Sequence, residues 1–240
     1  MAQGVAWAAR ELDVPCTVIA PDHAPETKVA AIERLGGRVI KVPFDRWWQA
    51  MEERRFEGVE GLFLHPFEDE DVMAGNGTIG LEVLEDLPDP DAVLIPFGGG
   101  GLTVGIASAI KAQRPGVKIY AVEPETAAPL NATLAAGSPQ EIEYRPSFVD
   151  GAGGRSVFPK MWPLAESLLD GAYSVSLEET AAAIRMLAER VRVIAEGAGA
   201  LAPAAALSGK GGEGKVVSIV SGGNIDFSTL STILAGETPL

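Results

Sequence analysis

The sequence is poor in the residues that staple a fold or bind metals. It has one cysteine, Cys16, in 240 residues. No internal disulfide and no cysteine-rich metal site can form, and a lone thiol fits a reducing cytoplasm. Histidine is almost as scarce, with His23 and His65 only, and neither is placed by the sequence beside an acid or a nucleophile. There is no HExxH, GxSxG or paired-cysteine motif. No apolar run approaches the roughly 18 residues that a membrane span needs. The opening MAQGVAWAARELD has no basic head before an apolar stretch, so it does not read as a signal peptide. Bases are outnumbered, 19 against 33 acids, for a net charge of −14. A phosphate backbone needs a basic face, so neither nucleic acid nor membrane is an expected partner.

What is present is a globular composition, 47% hydrophobic and 22% charged, long enough for one large or two smaller domains. The acids crowd between Asp45 and Asp91, where 14 stand against three arginines; a solvated face is the ordinary reading of such a run. Along the chain, apolar helical stripes alternate with short β-rich runs. Val5, Ala8, Ala9 and Leu12 share one helical face, and residues 14–20 read as a strand. Pro25 opens a helix carrying Val29, Ile32 and Leu35, stopped by Gly36-Gly37. Residues 38–42 read as a strand, 45–55 as a helix and 61–65 as a third strand. A second series follows: helix 71–87 with glycines at 75, 77 and 80, strand 91–97, helix 102–113 and strand 117–122. Ser176 and Glu179 form a capping box for a long helix bearing Ile184, Leu187, Ala188 and Val191, and 216–220 is the last strand. The pattern predicts an α/β fold of two parallel-sheet αβα domains, a small one over 1–70 and a larger one over 71–240.

The sharpest local signal is Phe97-Gly98-Gly99-Gly100-Gly101-Leu102, between a strand and a helix. Glycines leave backbone N–H groups uncovered, and the following helix start adds partial positive charge, so the junction suits an anion. No Walker lysine follows, which disfavours a P-loop NTPase. Gly99, Gly101 and Gly105, with Glu123 about 20 residues on, make a loose dinucleotide fingerprint, so a nucleotide-linked oxidoreductase stays open at this point. A second glycine turn, Ser221-Gly222-Gly223-Asn224, follows the last strand. Ligands of parallel sheets bind at the carboxyl ends of strands, so two such turns suggest one ligand held at two points. Cys16, the histidines and Trp47-Trp48 read as packing or surface residues, and Glu196 in AEGAGA faces either a ligand or solvent.

Taken in order, Ala2-Gln3-Gly4, Ala24-Pro25-x-x-Lys28, Ala74-Gly75-Asn76-Gly77-Thr78, Gly98 to Leu102, Glu123-Pro124, Asp150-Gly151 and Ser221 to Asn224 form a series. It resembles the threonine dehydratase and serine racemase family, pyridoxal-phosphate enzymes of the tryptophan-synthase-β fold (fold type II). The resemblance implies a lyase that deaminates L-threonine, L-serine or a related β-hydroxy amino acid to a 2-oxo acid and ammonia, with a homodimer as the family's usual assembly. It implies that Gly98, Gly99, Gly100, Gly101 and Leu102 hold the cofactor phosphate, and that the Ser221 hydroxyl faces the pyridine nitrogen. Gln3 falls in the substrate and effector loop, while Gly151 and Glu196 lie near the cofactor. Glu123 and the Ala127 carbonyl match two ligands of a divalent metal site. The family's third ligand is an acid, and Pro129 stands there, so the metal is in doubt.

The resemblance also implies what lies ahead of Ala2: a segment with the Schiff-base lysine and a Ser-x-Gly-Asn loop, in which Met1 takes a position usually filled by histidine. On that reading Met1 is an internal methionine and the chain an inactive fragment, since its seven lysines match none of that context. No catalytic residue is therefore expected within it. The alternatives are a non-catalytic module binding pyridoxal phosphate or an effector, or an amino-acid racemase of the same family.

Overall fold

The computed structural model describes residues 1–239, and the chain divides into two compact units, Met1–Pro66 and Phe67–Leu240. Phe67 to Glu70 thus belong with the larger unit.

In the first unit, α1 (Ala2–Glu11), β1 (Thr17–Pro21), α2 (Glu26–Arg34), β2 (Arg38–Val42) and α3 (Phe44–Glu53) follow one another. β1 and β2 pair in parallel, Thr17 opposite Arg38 and Pro21 opposite Val42. Pro15 has no N–H for a ladder, in keeping with a strand that begins at Thr17 rather than at residue 14. Gly36 takes a φ of +86° directly after α2 and turns the chain into β2. Two expectations fail here. Leu12 lies past the end of α1 and is 72% exposed, whereas Ala6 and Ala9 carry the buried face. Residues 61–65 form no strand: Leu62 and Leu64 are exposed, and neither edge of the β1–β2 pair takes the segment up. A short apolar run without a ladder partner has nothing to fix it as a strand.

The second unit is built around β3 (Ala92–Pro96), an unbroken apolar run in which every residue is buried. Such a run needs cover on both faces. Val93 and Ile95 pack with Leu84, Ile106 and Ile110, while Leu94 packs on the other side with Val122, Ala198 and Leu201. Around it lie α4 (Glu70–Asp86), α5 (Gly101–Gln113), β4 (Lys118–Pro124), α6 (Pro129–Ala136), α7 (Trp162–Leu168), β5 (Gly171–Val175), α8 (Leu177–Met186), α9 (Gly197–Leu207), β6 (Val216–Ser218) and α10 (Phe227–Leu234). The sheet is parallel with order β5-β4-β3-β6.

The glycines that look costly inside α4 have a packing reason. A Cβ on Gly77 would lie 3.1 Å from the Gly105 carbonyl oxygen, and one on Gly80 would lie 2.9 Å from that of Ile106. α4 and α5 approach so closely that side chains at these points would push them apart, which offsets the roughly 1 kcal/mol helix penalty of each glycine. The capping box forms as expected, with the Glu179 N–H donating to Ser176 Oγ at 3.1 Å and the Ser176 N–H to Glu179 Oε2 at 2.8 Å. The helix it opens is shorter than its stripe suggests. After Met186 it rewinds into a π-helical turn over Leu187–Val191, which carries Val191 out to 55% exposure.

Candidate functional site

The glycine loop sits where β3 ends and α5 begins. Gly98 and Gly99 are half-buried and Gly100 is buried. Among the described residues, no hydrogen bond takes up the N–H groups of Gly98, Gly99 or Gly100. Gly101 and Leu102 form the first turn of α5, whose N-terminus has no side-chain cap. Unclaimed donors of this kind are rare in a folded interior, and a helix start adds its dipole; the arrangement fits an anion. Gly100, at φ +94°, makes the turn that an L side chain would strain. The buried Thr103 fixes the base of the loop, its hydroxyl donating to the Pro96 carbonyl at 2.8 Å.

Two further loops meet this one. The Gly153 N–H donates to the Phe97 carbonyl at 3.1 Å, and a Cβ on Gly98 would lie 3.2 Å from Ala152 Cα. The Asp150–Gly153 segment therefore runs beside the glycine loop. On its other side, a Cβ on Gly151 would lie 3.0 Å from Ala198 Cβ and 3.6 Å from Glu196 Oε1. Glu196 is the N-cap residue of α9, and its N–H donates to the Gly222 carbonyl at 3.0 Å. Its carboxylate reaches the same turn, since a Cβ on Gly222 would meet Glu196 Oε1 at 2.6 Å. Gly98, Gly151, Glu196 and the Ser221–Asn224 turn are thus linked by direct contacts at the carboxyl ends of parallel strands, where α/β folds place ligands. Ser221 is exposed at that turn. Gln3 belongs to the first unit, half-buried on α1.

Glu123 has a different occupation. It is fully buried; Oε1 accepts from the Leu130 N–H at 2.9 Å, and Oε2 accepts from the Asn131 N–H at 2.9 Å and Asn131 Nδ2 at 2.8 Å. The carboxylate thereby caps α6, whose first residue, Pro129, has no N–H to satisfy. Burial pushes the Glu123 carboxyl up to about 7, outweighing the three N–H donors that favour its charge. A buried group so engaged does not fit a ribose hydroxyl, which removes the dinucleotide reading. It does not fit a divalent cation either, for little of its lone-pair capacity is left. Among the described residues, no three of His, Cys, Asp or Glu cluster to hold a metal ion. Ala127 packs instead against the Asp150–Gly153 segment, its carbonyl oxygen 2.6 Å from where a Cβ on Gly153 would stand.

The minor candidates lie apart. Trp47 and Trp48 pack with Phe44 at ring distances of 5.5 and 5.9 Å. Burial pushes the half-buried Cys16 thiol up, away from the reactive thiolate. His65 is buried. Four lysines of the second unit are committed elsewhere: Lys111 and Lys118 to Asp170, Lys215 to Asp89 and Lys210 to the Ser174 carbonyl. Thr103 and Gly153 went unread in the sequence, because each acts through a backbone hydrogen bond that no motif spells out.

Residues 1–222 match the profile of a family described as pyridoxal-phosphate dependent enzymes. The L-threonine ammonia-lyase of Thermotoga maritima is 41% identical over 236 residues, covering 97% of this chain. The chain spans 59% of the length of that relative. Among solved structures, the processed threonine deaminase isoform 2 of Solanum lycopersicum superposes with a TM-score of 0.84 at 35% identity, covering 98% of this chain and 71% of that one. Maize serine racemase superposes with a TM-score of 0.82 at 31% identity, covering 98% and 74%. The α/β architecture is therefore that of fold type II. With its glycine cradle at the end of β3 and a match over nearly its whole length, the chain belongs to the family of pyridoxal-phosphate dependent enzymes.

Proposed function

We propose that the chain is the cofactor-holding part of a cytoplasmic lyase that deaminates L-threonine, L-serine or a related β-hydroxy amino acid to a 2-oxo acid and ammonia. The observation that carries this is the loop of Gly98 to Gly101, where no described residue takes up the N–H groups of Gly98, Gly99 and Gly100 beside an uncapped helix start. Those N–H groups and Leu102 hold the cofactor phosphate. When bound, pyridoxal phosphate supplies an electron sink that acidifies the α C–H of an amino acid.

The rest of the site positions and tunes. Ser221 presents a hydroxyl to the pyridine nitrogen; unlike a carboxylate it need not keep that nitrogen protonated, which weakens the sink and suits loss of a β-hydroxyl. Gly151, without a side chain, would let its loop pass close to the cofactor. Glu196, between Gly151 and Gly222, would lie near the cofactor. No residue of this chain is assigned the α-proton transfer. A homodimer belongs to the same proposal and is checked by light scattering.

The racemase reading is kept alive by the likeness to maize serine racemase. One assay separates the two. The protein, expressed with any coding sequence that precedes Met1, is given L-threonine and L-serine with pyridoxal phosphate. Ammonia and 2-oxo acid in equal amounts support the lyase, D-amino acid without ammonia supports the racemase, and neither product sinks both.

A further inference from the structure

The glycine loop is gripped from two sides, and one of the two grips comes from a residue outside every motif. Gly100 turns its Cα face toward the fully buried Phe97 and Met161, where a Cβ would lie 3.1 Å from Phe97 Cε2 and 3.2 Å from Met161 Cε. Gly99 and Gly101 both face Phe67. A Cβ on Gly99 would run into the Phe67 ring, and one on Gly101 would lie 2.6 Å from Phe67 Cα and 3.1 Å from its carbonyl oxygen. The Phe67 ring is held in turn by Phe158, edge-on at 4.7 Å and 70°, and Phe158 is itself buried.

We propose that Phe67 is a positioning residue for the phosphate loop: its ring, packed flush on Gly99, fixes the curl in which the loop's unclaimed N–H groups converge on one anion. This rests on the reading of Gly98 to Leu102 as the cofactor phosphate site. The physical argument is entropic. A run of four glycines has more backbone freedom than any other sequence, and a loop that is loose before binding must be ordered by the ligand. Phe67 orders it in advance. The glycines at 99 and 101 are then required by a close approach as much as by the need to bare N–H groups. The two approaches differ in kind: Gly99 meets a removable ring, whereas Gly101 meets Phe67 backbone.

That difference supplies the test. Binding of pyridoxal phosphate and of pyridoxal, which lacks the phosphate, is measured by fluorescence titration for the chain and for Phe67→Ala, Phe67→Leu, Gly99→Ala and Gly101→Ala. The pairs Gly99→Ala/Phe67→Ala and Gly101→Ala/Phe67→Ala are measured beside them, and all melting midpoints are recorded without ligand. Phe67→Ala is expected to weaken pyridoxal phosphate by about tenfold, near 1.4 kcal/mol, with pyridoxal unchanged and Phe67→Leu in between. Phe67→Ala is expected to restore both the midpoint and the phosphate preference lost in Gly99→Ala toward its own level. It should leave Gly101→Ala unrescued.

Equal loss of both ligands in Phe67→Ala, or a Gly99→Ala midpoint that the second substitution does not raise, overturns the proposal. The midpoints decide even where a variant binds nothing. A starting chain that takes pyridoxal as tightly as pyridoxal phosphate instead overturns the phosphate reading itself, and leaves the packing result to stand or fall on the midpoints.

Discussion

The two units use the same βα grammar and bury it to different depths. In the first, β1 has one buried residue, Ala20, and β2 one, Val42. In the second, all of β3 is buried and most of β4 with it. The difference comes from cover: two paired strands with three helices leave much of the ladder half-wet, while β3 has strands on both edges and helices on both faces. A loop that must present N–H groups in a set direction gains from the second arrangement, because its anchor points, Phe97 and Thr103, cannot move without opening the core.

The sharpest way to break this contrast is to remove equal volume from each sheet. Ile95→Ala, in the buried strand, is expected to cost about 2–5 kcal/mol, and Ile19→Ala, half-buried in β1, about 1–2 kcal/mol. Urea denaturation of each variant checks it, and equal losses would contradict the ranking.

Next in size is the titration of Glu123. Its folded pKa, about 7, lies above the ordinary 4.5. Between these values the native state holds a proton that the unfolded chain has lost. The contribution to stability is therefore complete below pH 4.5 and fades as pH rises to 7, by roughly 3 kcal/mol. Melting midpoints should fall over that window. Glu123→Gln should flatten the fall and lower the midpoint throughout, since one oxygen that accepts N–H donors becomes an NH₂. A fall of the same steepness in the variant would assign it to other groups.

Smaller still is Ser221→Ala. One neutral hydrogen bond to a ring nitrogen is worth about 0.5–1.5 kcal/mol, so pyridoxal phosphate and pyridoxal should weaken together by about twofold to thirteenfold, as measured by titration. Loss confined to the phosphorylated ligand would put Ser221 at the wrong end of the cofactor. Smallest is Leu62→Ser in the first unit. At 86% exposure it should move the midpoint by less than about 0.5 kcal/mol, and a larger loss would mean that 61–65 is held by packing after all.

The same contrast explains what the sequence made legible. β3 and the glycine loop were readable because burial on both faces leaves an unbroken apolar run, and because a strand, four glycines and a helix stand together. Residues 61–65 carried a strand-like run too, but a strand also needs a ladder partner, and hydropathy does not report partners. α6, α7, β5, α9 and α10 were not read at all: α9 is buried nearly all round, so it has no stripe to give it period. Glu123 was placed by spacing and by the resemblance, and two of its three partners are backbone N–H groups of α6, which every sequence has. Phe67 was invisible for a related reason, since its importance lies in what two distant glycines cannot carry.

The most direct test of the account is the ratio of dissociation constants for pyridoxal and pyridoxal phosphate on this chain, with NADH as a control. If the N–H groups of Gly98 to Gly101 hold a phosphate, the phosphorylated form binds at least about tenfold more tightly and NADH does not compete. Equal affinity for the two forms, or displacement by NADH, would contradict the assignment of the loop.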